Sequence, residues 1–154
     1  MRGASATGAL DAYELDHIGI VTTDPDAALA LHRDLLGMTV LHDEPLPRPG
    51  LRAILLGLGP TRVELLVPQR DETPVTRFLE KRGPGIHHLA YLVPDIAAAT
   101  DRLVAAGLEP LSPEPEVGLG GTLTLFFHPR STGGVLIELV GRPPAADGVV
   151  DAGA

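Results

Sequence analysis

Four residues in this chain of 154 combine metal-binding chemistry with a His-then-Glu pattern that occurs twice at similar spacing. His17 stands in Asp16-His17-Ile18-Gly19-Ile20, and His88 in His87-His88-Leu89-Ala90-Tyr91. Glu64 follows in Val63-Glu64-Leu65-Leu66, and Glu138 in Ile137-Glu138-Leu139-Val140. The separations are 47 residues from His17 to Glu64 and 50 from His88 to Glu138. All four interrupt otherwise apolar runs, where an ionised carboxylate is costly unless it is paired. Two imidazoles and two carboxylates suit Co²⁺, Mn²⁺, Ni²⁺, Fe²⁺ or Zn²⁺ in a site with open coordination positions. Taken singly, a strand His is more often a satisfied core residue and a strand Glu a solvent-facing one. The weight comes from the repetition in register. His87 competes with His88 for the ligand role. The repeat alignment selects His88, and strand alternation turns His87 to the opposite face.

The elements that must carry these residues also repeat. Seven residues after each aligned His stands an Asp beside a Pro, Asp24 and Asp95, and each opens an Ala/Leu-rich stretch closed by Gly37 or Gly107. An Asp N-cap, helix formers and a terminal Gly predict helices over 25–36 and 95–106. Strand-like runs follow at Met38–His42, Leu51–Leu58 and Arg62–Val67, and again at Leu108–Ser112, Thr122–Phe127 and Val135–Val140. Each half reads β-α-β-β-β. The expectation is an α+β fold of two βαβββ modules in pseudo-twofold arrangement, curved around a metal-centred cleft. That domain spans 13–141, with modules at 13–70 and 84–141. A linker at 71–83 carries a short helix from Thr73 to Arg82. Disordered tails are expected at 1–12 and 142–154.

Composition narrows the function. Apolar residues make up 44% and charged residues 21%, which is globular rather than disordered. Aromatics are 3% and Trp is absent, so base-stacking platforms are nearly excluded. A net charge of −8 disfavours nucleic-acid phosphates as partners. With no Cys, disulfides, thiolate metal sites and a Cys nucleophile are excluded. No apolar run reaches the ~18 residues of a membrane span, and the first twelve residues lack a signal-peptide core. The expected location is cytoplasmic.

Four segments now carry a specific resemblance: Leu15–Val21 (LDHIGIV), Val63–Pro68 (VELLVP), Phe78–Ala90 (FLEKRGPGIHHLA) and His128–Leu139 (HPRSTGGVLIEL). Over roughly 14–141 the chain resembles the vicinal oxygen chelate superfamily and, within it, the methylmalonyl-CoA epimerases. The resemblance implies His17, Glu64, His88 and Glu138 as ligands of one divalent ion. It implies a small acyl-CoA-like substrate whose carboxylate and thioester oxygens meet that ion as the α-proton leaves, with Glu138 as one of the proton-transfer groups. A homodimer is expected. Rival readings are a related metalloenzyme acting on another enolisable or natural-product substrate, or a non-catalytic ligand-binding or resistance protein.

One departure stands out. Some such epimerases carry the partner carboxylate in a strand after a Pro-Glu-Gln-Gly-Val word. Here the segment reads Pro47-Arg48-Pro49-Gly50-Leu51-Arg52-Ala53-Ile54, with Arg48 for the Glu and Ala53 where the second base would stand. Asp43 and Glu44 are nearby in sequence only. Gly118–Gly121 reads as a flexible lip over the cavity. Arg77, Lys81, Arg82 and Arg130 are either phosphate contacts or ordinary surface charge. Ser131 and Thr132 divide between substrate contact and turn chemistry. His32 and His42 read as surface residues, and His128 as structural or as a support behind a metal ligand.

Overall fold

A computed structural model of the chain describes residues 14–47 and 50–142. Arg48 and the expected tails, Arg142 apart, lie outside the described residues. The first half runs β1 (Glu14–Val21), α1 (Pro25–Leu29), β2 (Thr39–Pro45), β3 (Leu51–Leu58) and β4 (Thr61–Pro68). A short helix α2 (Thr76–Arg82) leads into β5 (Gly85–Val93), α3 (Ile96–Ala105), β6 (Glu116–Val117), β7 (Leu123–Phe127) and β8 (Ile137–Gly141).

Local chemistry starts and stops the helices. The carboxylates of Asp24 and Asp95 accept from the N–H groups of Ala27 and Ala98, each at 3.0 Å, and so satisfy donors that the first turn leaves free. Gly37 and Gly107 follow the helices at φ +75 and +94, where a side chain would be strained. α1 continues into a wider π-helical segment over Ala30–Leu35, in which the Leu36 N–H reaches the Leu31 carbonyl.

All eight strands form one curled sheet in the order β2-β3-β4-β1-β5-β8-β7-β6. The order is unchanged when the two halves are exchanged, so the pseudo-twofold passes between β1 and β5, which pair antiparallel. β1 pairs parallel with β4 and β5 with β8. The expected strand at Leu108–Ser112 does not form. There Pro110 makes an isolated bridge to Phe127, and the edge strand is the two-residue β6 instead. Pro110, Pro113 and Pro115 cannot donate to a ladder, which limits this stretch to irregular pairing.

The two faces of the sheet differ in chemistry. On one face, Ile54, Leu56, Val63 and Leu65 pack under Ala28 and Leu29 of α1, and Leu125, Phe127 and Leu139 pack under Ile96 and Ala99 of α3. On the other, Val21, Leu51, Ala53, Leu66 and Val75 form an apolar cluster. Alternation along β4 sends Val63, Leu65 and Val67 to the helices and leaves Glu64 with Leu66 on the inner side. The buried polar or charged side chains among the described residues are His17, Glu64, His88, Thr124 and Glu138.

Candidate metal centre

His17, Glu64, His88 and Glu138 come from the four central strands, β1, β4, β5 and β8. Gly19 pairs with Glu64 and with His88, and Ala90 pairs with His17 and with Glu138. The structure brings all four together: one ligand atom from each lies within 4.8 Å of the rest. The Nε2 atoms of His17 and His88 are 3.1 Å apart. Glu138 Oε2 lies 3.2 Å from His17 Nε2 and 3.0 Å from His88 Nε2, and Glu64 Oε2 lies 3.3 and 3.6 Å from the same two atoms.

These spacings are those of donors around one ion. Ligands about 2.1 Å from a divalent metal stand roughly 3.0 Å apart at right angles and about 3.4 Å apart at tetrahedral angles. Glu138 supplies a second mark. Its Oε2 is buried and makes no regular hydrogen bond, although both imidazole Nε2 atoms lie within 3.2 Å of it. A buried carboxylate oxygen left in that state needs a cation. The residues present therefore fit a divalent ion.

Each histidine is held from behind by the residue before it. The β1–β5 register skips Asp16 between the Leu15–Tyr91 and His17–Ala90 pairs, and skips His87 between the Gly19–His88 and Ile20–Ile86 pairs. Both are β-bulges, which break strand alternation. The expectation that His87 turns to the opposite face is therefore corrected: His87 Nδ1 lies 2.9 Å from His88 Nδ1, with the rings edge to face. In the other half, His17 Nδ1–H donates to Asp16 Oδ2 at 2.7 Å, and Arg62 stands 3.5 Å from the second Asp16 oxygen. Sequence reasoning missed Asp16. Its only signal was its position beside His17.

Electrostatics at the cluster call for positive charge. Burial opposes a charge on His17, yet the hydrogen bond to Asp16 and the approach of Glu138 and Glu64 push its pKa up to about 12. Burial would raise the Glu138 carboxyl, but the His17 and His88 imidazoles hold it well below the usual carboxylate range. In the metal-free protein a proton on His17 supplies the charge that the carboxylates demand. Burial pushes the His87 imidazole down, to about 4, and the neighbouring His88 adds to this. His87 is thus a neutral imidazole at physiological pH.

The cluster lies at the floor of a cleft of about 480 Å³. Leu46, Leu51, Leu66 and Val75 make an apolar wall, and Thr122 and Thr124 line it from β7 and the turn before it. Gly118–Gly120 also line it, and the Gly120 N–H donates to Glu44 Oε1 at 2.7 Å, which joins the lip to the far edge strand β2. Glu44 thus serves the lip, and Asp43 pairs with Arg52 at 2.8 Å. Ala53 is fully buried in the inner apolar cluster. His42, read as a surface residue, is exposed but lines the cleft.

Other candidates separate clearly. Ser131 accepts from the Glu109 N–H and donates to the His128 carbonyl, and Thr132 donates to Val135 O, so both do turn chemistry. His128 accepts from the Arg130 N–H as a helix cap. Arg130 is paired with Glu109. Arg77, Lys81 and Arg82 instead line a second cavity of about 350 Å³ that reaches His87 and His88.

Residues 16–126 match the family described as Glyoxalase/Bleomycin resistance protein/Dioxygenase superfamily. The chain is 42% identical over 127 residues to the ethylmalonyl-CoA/methylmalonyl-CoA epimerase of Cereibacter sphaeroides, covering 81% of this chain and 95% of that protein. Among solved structures, the methylmalonyl-CoA epimerase of Mycobacterium tuberculosis superposes with a TM-score of 0.82 at 36% identity, covering 93% of this chain and 95% of that one. A methylmalonyl-CoA epimerase in complex with methylmalonyl-CoA and NH4+ superposes with a TM-score of 0.78 at 35% identity, covering 86% and 94%.

Proposed function

The chain belongs to the glyoxalase/bleomycin resistance protein/dioxygenase superfamily, and on that footing we propose that it is an isomerase that epimerises 2-alkylmalonyl-CoA thioesters, methylmalonyl-CoA first among them. The observation that carries this is the buried two-His, two-Glu cluster opening on a cleft with one apolar wall. Relatives that share at least a third of the sequence over most of its length act on methylmalonyl-CoA by name.

In this reading His17, Glu64, His88 and Glu138 hold one divalent ion, and Co²⁺, Mn²⁺, Ni²⁺, Fe²⁺ or Zn²⁺ matches the donor set. When bound, the ion supplies a Lewis acid toward the substrate's carboxylate and thioester oxygens as the α-proton leaves. Glu138 is the catalytic residue. It is buried, ionised and lines the cleft, and with Oε2 turned to the ion its other carboxylate oxygen takes the α-proton. The apolar wall takes the α-alkyl group and keeps water from the reacting carbon. No carboxylate stands on β3, since Ala53 occupies that place. Among the described residues of β2 and β3, His42 is the ionisable side chain that lines the cleft, and it can return a proton.

Arg77, Lys81 and Arg82 carry no ion pair among the described residues and flank a cavity beside the centre. Three such cations in a chain of net charge −8 support a substrate that bears phosphates. Ala53 favours one second reading, the same proton abstraction on another enolisable substrate. No helix among the described residues is long and apolar enough to cross a membrane. Assembly as a homodimer and a cytoplasmic location complete the proposal. Metal analysis tests its base: wild type should hold about one divalent ion per chain, and His17→Ala and His88→Ala should each lose it. Unchanged stoichiometry in both variants overturns the ligand assignment.

A further inference from the structure

We propose that Asp16 and His87 are a matched pair of positioning residues, each placed by a β-bulge behind the histidine that follows it, so that Nδ1 of His17 and of His88 is occupied and Nε2 is left for the ion. The proposal rests on the metal-site reading above and concerns how the chain aims its ligands. Three observations carry it. Both bulges fall one residue before a ligand histidine, at equivalent places on the two strands that flank the pseudo-twofold. In a regular strand, alternation would send Asp16 and His87 to the helix-bearing face. Each instead reaches the Nδ1 of its neighbour, at 2.7 Å for Asp16 and 2.9 Å for His87. Finally, the opposite ring nitrogens of His17 and His88 both face the two glutamates.

The two halves differ in one respect. Asp16 offers an anionic acceptor, which raises the electron density of the imidazole it holds. His87 can accept at Nδ1 only as a neutral ring with its proton on Nε2, and its ring is steadied edge to face by Phe78 at 5.0 Å between centroids. His17 is therefore the stronger donor of the two, although the ligand set itself is symmetric. An acceptor behind a ligating imidazole fixes its tautomer and orientation, and losing one commonly costs 10–100-fold in metal affinity.

The test is cobalt(II) affinity by competition with a chromophoric chelator, measured on wild type, Asp16→Asn, Asp16→Ala, His87→Phe and His87→Gln. Asp16→Ala and His87→Phe should each weaken binding about 10–100-fold. Asp16→Asn and His87→Gln, which keep a neutral acceptor oxygen, should recover part of that loss. A purely structural role would not produce that order at equal melting temperature. Affinity within twofold of wild type in both Asp16→Ala and His87→Phe overturns the proposal and leaves the metal site standing. A wild type that takes up no divalent ion overturns both. Should a variant fail to fold, ¹⁵N-histidine spectra of the zinc-loaded wild type decide. Metal on Nε2 with a slowly exchanging Nδ1–H on both residues is expected, and metal on Nδ1 of either, or rapid Nδ1–H exchange, refutes it.

Discussion

Gly19→Ala is the substitution whose effect the geometry fixes most sharply. Gly19 lies across from His88 on the neighbouring strand. A Cβ at that position would stand 2.0 Å from Cε1, 2.3 Å from Nδ1 and 2.5 Å from Nε2 of the His88 ring. Ordinary contact between such atoms is about 3.5–4.0 Å, so the ring must retreat by roughly 1.5 Å. His88 is only 1% exposed and is held on both sides, by His87 at Nδ1 and by Phe126 edge to face. A displacement of that size takes Nε2 out of a cluster whose closest donor contacts are 3.0–3.6 Å. Disturbing the orientation of a ligating imidazole commonly costs 10–100-fold in metal affinity, and overpacking costs about 1–3 kcal/mol of stability. In a domain of this size that lowers the melting temperature by roughly 3–10 °C. The pseudo-symmetric control is Ala90, which pairs with His17 and already carries a Cβ. Calorimetric titration with cobalt(II) should show about a 10–100-fold loss for Gly19→Ala and little change for Ala90→Gly. If Gly19→Ala binds the ion within threefold of wild type, the cradle argument fails.

Four further outcomes follow from the same geometry. Glu138→Gln keeps the shape and an oxygen donor but removes the base, so α-proton exchange should fall about 10²–10⁴-fold while metal content, measured separately, stays within tenfold; equal losses in both would deny Glu138 a proton-transfer role. Ala53→Glu would place a carboxylate inside a fully buried apolar cluster that Leu46, Phe78 and Leu119 cover; it should cost several kcal/mol in denaturant unfolding and add no rate, and a faster variant of unchanged stability would contradict this. Because the His17 pKa is raised in the metal-free protein, the ring is charged at neutral pH and must shed a proton to bind metal. Affinity should therefore rise with pH, by up to about tenfold per unit, and titrations in buffers of different ionisation enthalpy should show about one proton released per ion; uptake without proton release would count against the assigned charge state. Leu65→Ala, in the fully buried core under α1, should cost about 2–5 kcal/mol by chemical denaturation, and a cost below 1 kcal/mol would mean that Leu65 is not a core residue.

Much of this was legible in the residues because the chain states it twice. His17 with His88, Glu64 with Glu138, and the capping Asp24 with Asp95 are types whose chemistry is strong and local, and each appears at a matching place in the second half. What escaped depended on strand pairing. A β-bulge is a property of two strands, so the sequence around Asp16 and His87 carried no sign that alternation breaks there. Alternation alone therefore places His87 on the wrong face and gives Asp16 no role. The segment 108–117 failed for another reason. Leu108–Ser112 has strand-like apolar residues, but Pro110 within it and Pro113 and Pro115 just after it deny the stretch a ladder. His42 looked like a surface residue and is exposed, yet only the curl of the sheet reveals that its exposure is to the cleft.

In the proposed function, the two-His, two-Glu centre labilises the α-proton of a 2-alkylmalonyl-CoA. The most direct measurement is deuterium wash-in at C2 of methylmalonyl-CoA in deuterated water, followed by mass spectrometry with saturating cobalt(II) and after exhaustive chelation. Rapid exchange accompanied by loss of optical activity, dependent on the metal and reduced about 10²–10⁴-fold in Glu138→Gln, is the predicted result. No exchange above the uncatalysed rate in the fully metal-loaded wild type would contradict it.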